Sequence, residues 1–210
     1  MSGNFLFIGA HPDDIEFGAG ASIAKARASG VTCYSAIFSN CKETLDKLGA
    51  DKNQIVNESI EAHNVLGVSR DYMIFFDFPV RYFHLHRQDI LQKMFDDLQN
   101  LKWDKVFIPN GHDIHQDHSV ICNEAKRVFK NTTLLGYELP WNNYSSNARY
   151  FNLIEEVFVQ QKASAISHFT SQKSKFYSKP EHIVAPLRFR GLQILSNYAE
   201  AFEIFRIVSN

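Results

Sequence analysis

"NFLFIGAHPDDIE", residues 4–16, is the stretch on which the reading of this chain turns. Its first half is a short apolar run closed by a polar loop, the pattern of a strand buried on both faces of a parallel sheet. "GAGASIAKARASG", residues 18–30, follows with small and apolar residues at helical spacing up to Gly30. A dinucleotide-binding protein would place a glycine-rich loop between such a strand and helix and hold a pyrophosphate on the helix N-terminus. Here Asp13, Asp14 and Glu16 occupy that ground and would repel an anion. No lysine or arginine stands closer than Lys25, and carboxylates crowded together call for a cation from elsewhere.

The alternation continues outward. "VTCYSAIFS" (31–39) reads as a second strand, residues 39–53 as a polar loop, and the segment through Glu58, Ala62 and Leu66 as a helix ending at Gly67. "DYMIFFDF" (71–78) is a third strand, "RQDILQKMFDDLQNL" (87–101) a helix and "DKVFIP" (104–109) a fourth strand. "SVICNEAKRVF" (119–129) is the next helix and "TTLLGYEL" (132–139) the next strand. Repeated strand-helix units predict an α/β, Rossmann-like fold, with a mostly parallel sheet, helices on both faces and the active site at the C-terminal ends of the strands. From Pro140 the pattern changes to a polar loop over 140–150, helices over 155–169 and 181–195, and a last strand over 203–208. Pro186 inside the second helix blurs its bounds.

A second unusual loop, "NGHDIHQDH" (110–118), follows the fourth strand, at the same edge of the predicted sheet as the first. It carries His112, His115 and His118 with Asp113 and Asp117, and no basic residue between Lys105 and Lys126. Neutral imidazole and carboxylate are the ligands of a catalytic zinc, which takes three protein ligands and keeps a position open. One ion shared by both loops explains both. Asp13 and Glu16 alone are equally explained by helix capping and the helix dipole, and the spacing of the histidines does not say which two of the three share a side. His63, His84, His86, His168 and His182 stand alone and are taken as surface or core.

At 210 residues the length fits one domain, 1–210. A formal net charge of −1 offers no general attraction to nucleic acid or an acidic membrane surface. Cys33, Cys41 and Cys122 form neither a disulfide framework nor a C-x-x-C pair and suit a reducing compartment. "MSGNFLFIGA" lacks the marks of a signal peptide, and no apolar run is long enough to span a bilayer, so the expectation is a cytoplasmic protein without membrane insertion. The 18 phenylalanines are scattered through strands and helices and read as core.

Taken together, "HPDDIE" (11–16) and "HQDH" (115–118) resemble the two signatures of the PIG-L/LmbE-like family of metal-dependent N-deacetylases, H-P-D-D-x-E after the first strand and H-x-D-H after a later one. "RGLQILSNYAEAFEIFR" (190–206) is similar to a closing segment frequent in that family, so the likeness covers nearly the whole chain. The resemblance implies His11, Asp14 and His118 as ligands of one Zn2+, with Fe2+ or Co2+ as alternatives the same ligands accept. It implies Asp13 as general base, and His115 with Asp117 as an electrophilic pair in which the carboxylate orients a protonated imidazole. The implied reaction is hydrolysis of the N-acetyl group of an amino sugar or sugar nucleotide in bacterial glycan biosynthesis.

Substrate is where the chain departs from parts of the family. "FSNCKETLDK" (38–47) lacks the T-x-G-E frequent in deacetylases of sugar-thiol conjugates, while "FDFPVRYF", "HRQDIL" and "GYELPWNN" resemble a subgroup associated with surface polysaccharides. Arg81, Arg87 and Arg190 are the arginines considered for a phosphate or carboxylate of the substrate, and Trp141 and Tyr144 for stacking on a sugar ring. The expected partner is therefore a small N-acetylated sugar or sugar conjugate, with homo-oligomerisation left open. The competing readings are a sugar-thiol deacetylase, a non-catalytic metal- or sugar-binding domain and a two-metal phosphoesterase. Three ligands plus Asp13, His115 and Asp117 exceed what a binder needs, and the bridging carboxylates of a two-metal site are missing.

Overall fold

The computed structural model describes residues 3–47, 49 and 51–209. Met1, Ser2, Leu48, Ala50 and Asn210, which belong to the N-terminal, 39–53 and 1–210 readings above, lie outside the described residues. Five strands run parallel in the order β3-β2-β1-β4-β5: β1 (Asn4–Gly9), β2 (Thr32–Ile37), β3 (Met73–Phe75), β4 (Lys105–Pro109) and β5 (Thr133–Tyr137). Beyond β5, β7 (Ala199–Arg206) is antiparallel to both its neighbours, and β6 (Ala148–Leu153) forms the edge. The expected mostly parallel sheet is present.

Period-two alternation sorts the strand residues onto two cores. Phe7, Phe107, Leu135 and Tyr137 pack on one face with α1 (Asp14–Ala28), α3 (Gln54–Val65) and α6 (Glu156–Ser167). Leu6, Ile8, Val106, Ile108 and Leu134 pack on the other with α4 (Arg87–Leu98) and α5 (Gln116–Val128). Strands covered on both faces read as continuous apolar runs, which is why they are legible in the sequence.

The sheet reverses its winding between β1 and β4, and at such a switch point the loops leaving the two strands diverge and open a crevice. The two unusual loops are those loops. Both helices begin earlier than their apolar periodicity suggests: α1 starts at Asp14 rather than Gly18, and α5 at Gln116 rather than Ser119. Asp14, Glu16, Asp117 and His118 therefore sit in first turns, with Asp13 and His115 at the N-cap positions before them. Tyr137 fastens the end of β1, just before the first of these turns, by donating from Oη to Ile8 O at 2.9 Å. A Cβ at Gly18 would overlap that tyrosine ring, so the glycine inside α1 is a packing requirement.

Several expectations are corrected. Residues 39–53 are not all loop, because Lys42–Lys47 forms α2. The third strand is only three residues, preceded by a 3-10 turn at Arg70–Tyr72. Residues 148–150, expected as loop, begin β6, whose half-exposed pattern and single partner leave it without the apolar run of an interior strand. β7 starts four residues earlier than expected. Finally α7 (Pro180–Leu192) runs through Pro186, and Pro180 at its first position needs no N–H partner there.

Candidate metal centre

The Asp14 carboxylate turns back on its own loop. Its Oδ2 accepts from the backbone N–H groups of Ala10 and His11 at 2.9 and 2.8 Å, which leaves Oδ1 facing His118 Nε2 at 3.2 Å. His11 Nδ1 lies 3.2 Å from His118 Nε2 and 3.5 Å from Asp14 Oδ2. Donor atoms held 2.0–2.1 Å from a tetrahedral zinc are separated by about 3.3–3.4 Å. The two nitrogens stand near that spacing from each other and each from one oxygen of the Asp14 carboxylate, His118 from Oδ1 and His11 from Oδ2.

The outer nitrogen of each imidazole is held as well. His118 Nδ1 meets Asp113 Oδ2 at 2.8 Å, and His11 Nε2 meets Asp117 Oδ2 at 3.1 Å. A carboxylate behind a ligating histidine fixes its tautomer and raises its basicity. The charges follow. For His11 burial opposes protonation, but the Asp14 charge and the hydrogen bonds to Asp117 and Asp14 outweigh it and raise the pKa from 6.5 to about 9. His118 behaves alike: burial works against its charge, and Asp14 and Asp113 lift it to about 10. Burial would raise Asp14, yet the neighbouring His118 and His11 hold it well below the usual carboxylate range. These carboxylates favour positive charge at this spot, carried by protons or by a cation.

Asp13 stands at the N-cap position of α1 but makes no capping bond. Burial and the Asp14 charge raise its pKa from 3.8 to about 7, the range of a general base working near neutrality. The helix-capping account of this residue is not met. His115 is the residue that caps, its Nδ1 accepting the Asp117 N–H at 3.2 Å. That bond leaves Nδ1 without a proton, so a neutral ring carries its hydrogen on Nε2. The ring nitrogens of His11, His115 and His118 lie within 4.8 Å of one another, and the His115 ring stacks on His118 with centroids 4.4 Å apart.

The Asp117–His115 pair implied above does not form as drawn. The Asp117 carboxylate is turned away, accepting from the Arg81 N–H at 2.6 Å and pairing with His11. Burial, together with the charges that His118 and His11 carry when protonated, lowers the His115 pKa to about 4 and favours its neutral ring. Burial alone would raise Asp117, but the bonds from His11 and the Arg81 N–H hold it below the carboxylate range.

These groups line a cavity of about 680 Å³, in which His11, Asp13, Asp14, His115 and His118 meet Arg81 and Trp141. Trp141 stacks on Tyr177 at 4.0 Å between centroids and 11° between planes, and Tyr177 lines the same cavity. The sequence does not single out Tyr177, and it shows Asp113 as an acid of the second loop without a role of its own. Asp113 was visible five residues before His118, whereas nothing local marks Tyr177. Other expected residues lie elsewhere. Arg190 is held by both oxygens of Glu138 and does not line the cavity, Arg87 pairs with Glu124, and Tyr144 is exposed outside it. His112, half-exposed, stands 3.9 Å from Glu203 and outside the cluster. His63 is fully buried, with Nε2 on Ser35 Oγ at 2.8 Å and Nδ1 on Glu16 Oε1 at 2.9 Å.

Residues 6–129, more than half of the chain and both loops, match the family model described as PIG-L, GlcNAc-PI de-N-acetylase. The chain belongs to the PIG-L family. Among PIG-L and LmbE-like relatives, the uncharacterized deacetylase YaiS of Escherichia coli (strain K12) is 29% identical over 173 residues, 79% of this chain and 90% of that protein. The N,N'-diacetylchitobiose deacetylase of Pyrococcus horikoshii has a similar fold, with a TM-score of 0.74 at 19% identity over 96% of this chain and 83% of that one. So does GalB, the 4-carboxy-2-hydroxymuconate hydratase of Pseudomonas putida KT2440, with a TM-score of 0.77 at 20% identity over 99% of each chain. A deacetylase and a hydratase on one PIG-L-like scaffold show that the reaction has to be argued from the site. No helix among the described residues is long and apolar enough to cross a membrane.

Proposed function

We propose that this PIG-L protein is a zinc-dependent deacetylase that hydrolyses the N-acetyl group of an amino sugar or sugar nucleotide. One observation carries the reading. Two imidazoles and a carboxylate stand 3.2–3.5 Å apart, each imidazole backed by a second carboxylate, with Asp13 beside them and poised near pH 7.

His11 Nδ1, Asp14 Oδ1 and His118 Nε2 would hold the ion. His115 flanks the same point, but its Nδ1 is already engaged as a cap and its ring stacks on His118, so Asp14 is the better third ligand. When bound, zinc supplies Lewis acidity toward the amide carbonyl and acidifies a water molecule. Asp13 takes the proton that this water loses on attack, because its carboxylate is uncommitted and its pKa allows it both to accept a proton and to return it. The returned proton goes to the departing amine, without which the carbon–nitrogen bond does not break. His115, neutral and protonated on Nε2, donates a hydrogen bond to the oxygen on which charge develops. Asp117 acts through His11 and through the Arg81 backbone, as a positioning residue.

The test is primary-amine release from a panel of N-acetylated sugars, sugar nucleotides and sugar-thiol conjugates, with and without a chelator. Release that the chelator abolishes and added zinc restores is the expected result. Asp13→Asn should retain metal and lose turnover by about 10²–10⁴-fold. Full activity of Asp13→Asn would sink the mechanism, and metal binding without release from any class would favour the binding-domain reading.

A further inference from the structure

Arg81 has a backbone that its residue type does not explain. Its φ is +72°, in the left-handed region that a glycine enters freely and other residues at a cost of about 1 kcal/mol or more. The bond that holds this conformation, from the Arg81 N–H to Asp117, is one that any residue except proline would supply. An arginine therefore stands where glycine would serve the backbone better. Its side chain lines the cavity beside the candidate metal centre, and among the described residues it meets no carboxylate or other hydrogen-bond partner.

Lys175 is the other cation lining this cavity, and its ammonium likewise has no partner among the described residues. It directly precedes the 3-10 turn Phe176–Ser178, which presents Tyr177 to Trp141. The remaining arginines discussed above are neutralised within the fold, Arg87 by Glu124 and Arg190 by Glu138. Two uncommitted cations and an aromatic stack thus share one cavity with the acid-rich floor.

We propose that Arg81 and Lys175 form an anion subsite at the mouth of the cavity, and that the substrate is an N-acylated amino sugar carrying a phosphate, as a phosphomonoester or within a pyrophosphate. The inference rests on the deacetylase reading for the identity of the sugar, not for the anion. The guanidinium fork takes two phosphate oxygens, and the lysine adds a point charge. The sugar lies along the Trp141–Tyr177 wall, with its amide toward His11 and His118.

The experiment compares binding by the zinc-loaded full chain, using calorimetry, of N-acetylglucosamine, its 1- and 6-phosphates and UDP-N-acetylglucosamine. At least one phosphorylated sugar is expected to bind about tenfold or more tighter than the neutral one, the worth of a charge-assisted hydrogen bond. Arg81→Gly relieves the backbone and removes only the side chain, so it should fold and retain zinc while the phosphate preference collapses. Arg81→Lys should recover part of the preference, and Lys175→Ala should lose part. The 1- and 6-phosphates compared with UDP-N-acetylglucosamine distinguish monoester from pyrophosphate. No preference in the wild type, or a preference that survives Arg81→Gly, overturns the subsite. Amine release from neutral sugars with no such preference would leave the deacetylase standing without the subsite. A preference with no amine release from any sugar would do the reverse.

Discussion

Two groups of buried charge lie on either side of α1, and they are built on opposite plans. Behind the helix Lys162 and Glu200, both almost fully buried, meet at 2.7 Å. Lys162 also donates to Phe17 O, and Glu200 accepts from the N–H groups of Ala21 and Ser22. Anion and cation match one to one, and the surplus hydrogen-bonding capacity is spent on the helix backbone. At the N-terminus of the same helix, Asp13, Asp14, Asp113 and Asp117 surround two histidines, with no lysine or arginine side chain among the described residues bonded to them. The first cluster is complete as a piece of structure. The second favours positive charge on or between its two histidines, whether protons or an ion carry it, and that difference separates a clamp from a candidate site.

Removing Asp14 should break the comparison most sharply. Asp14→Ala deletes a proposed ligand and leaves the Ala10 and His11 N–H groups without their acceptor, and equilibrium dialysis should find zinc occupancy and amine release both lost. The clamp should fail in the other currency. Lys162→Met leaves the Glu200 carboxylate buried without its cation, a loss of about 3–5 kcal/mol in urea unfolding, with zinc stoichiometry unchanged in the folded fraction. A loss under 1 kcal/mol would mean the pair is not the closed unit described here. Smaller still, Asp113→Asn keeps a hydrogen bond to His118 but removes the charge behind it, and should weaken zinc about 10–100-fold in a chelator competition.

Glu58 sharpens the contrast with a third plan, a carboxylate satisfied by neutral donors. It accepts from the Ser171 backbone N–H, from the Thr170 hydroxyl and from Gln54, which ties α3 to a turn that lines the cavity. Burial pushes its pKa up, but the bonds from Ser171 and Thr170 prevail and hold it below 4.5. A depressed carboxylate contributes stability that is present above its unfolded pKa and lost as pH falls through the folded one. Glu58→Gln should therefore melt below the wild type at pH 6, and the gap should close as the pH falls through the lowered pKa of the carboxylate. A gap independent of pH would show that the charge of Glu58 is irrelevant.

The sequence was most legible where burial is two-sided. The runs "FLFIG", "KVFIP" and "TLLGY" became interior strands, and the two acid- and histidine-rich loops lie at the switch point between β1 and β4. What was hidden depends on partners distant in the chain. Arg190 looked available because Glu138, which occupies it, is 52 residues away. The Asp117 carboxylate looked like a partner for His115, two residues off, but helix geometry turned it toward His11, 106 residues away, and gave His115 the backbone N–H instead. β6 was missed for a different reason: as an edge strand with one neighbour it needs no continuous apolar run.

The last strand leaves a mark on how the site is assembled in time. Glu200 and Glu203 both belong to β7; the first grips the middle of α1, and the second accepts the Gly111 N–H at 2.7 Å in the loop after β4. A chain synthesised from its N-terminus makes both halves of the site long before it makes the strand that ties them down. The constellation at the mouth of the sheet is thus held in part by a strand that is synthesised after both of its loops.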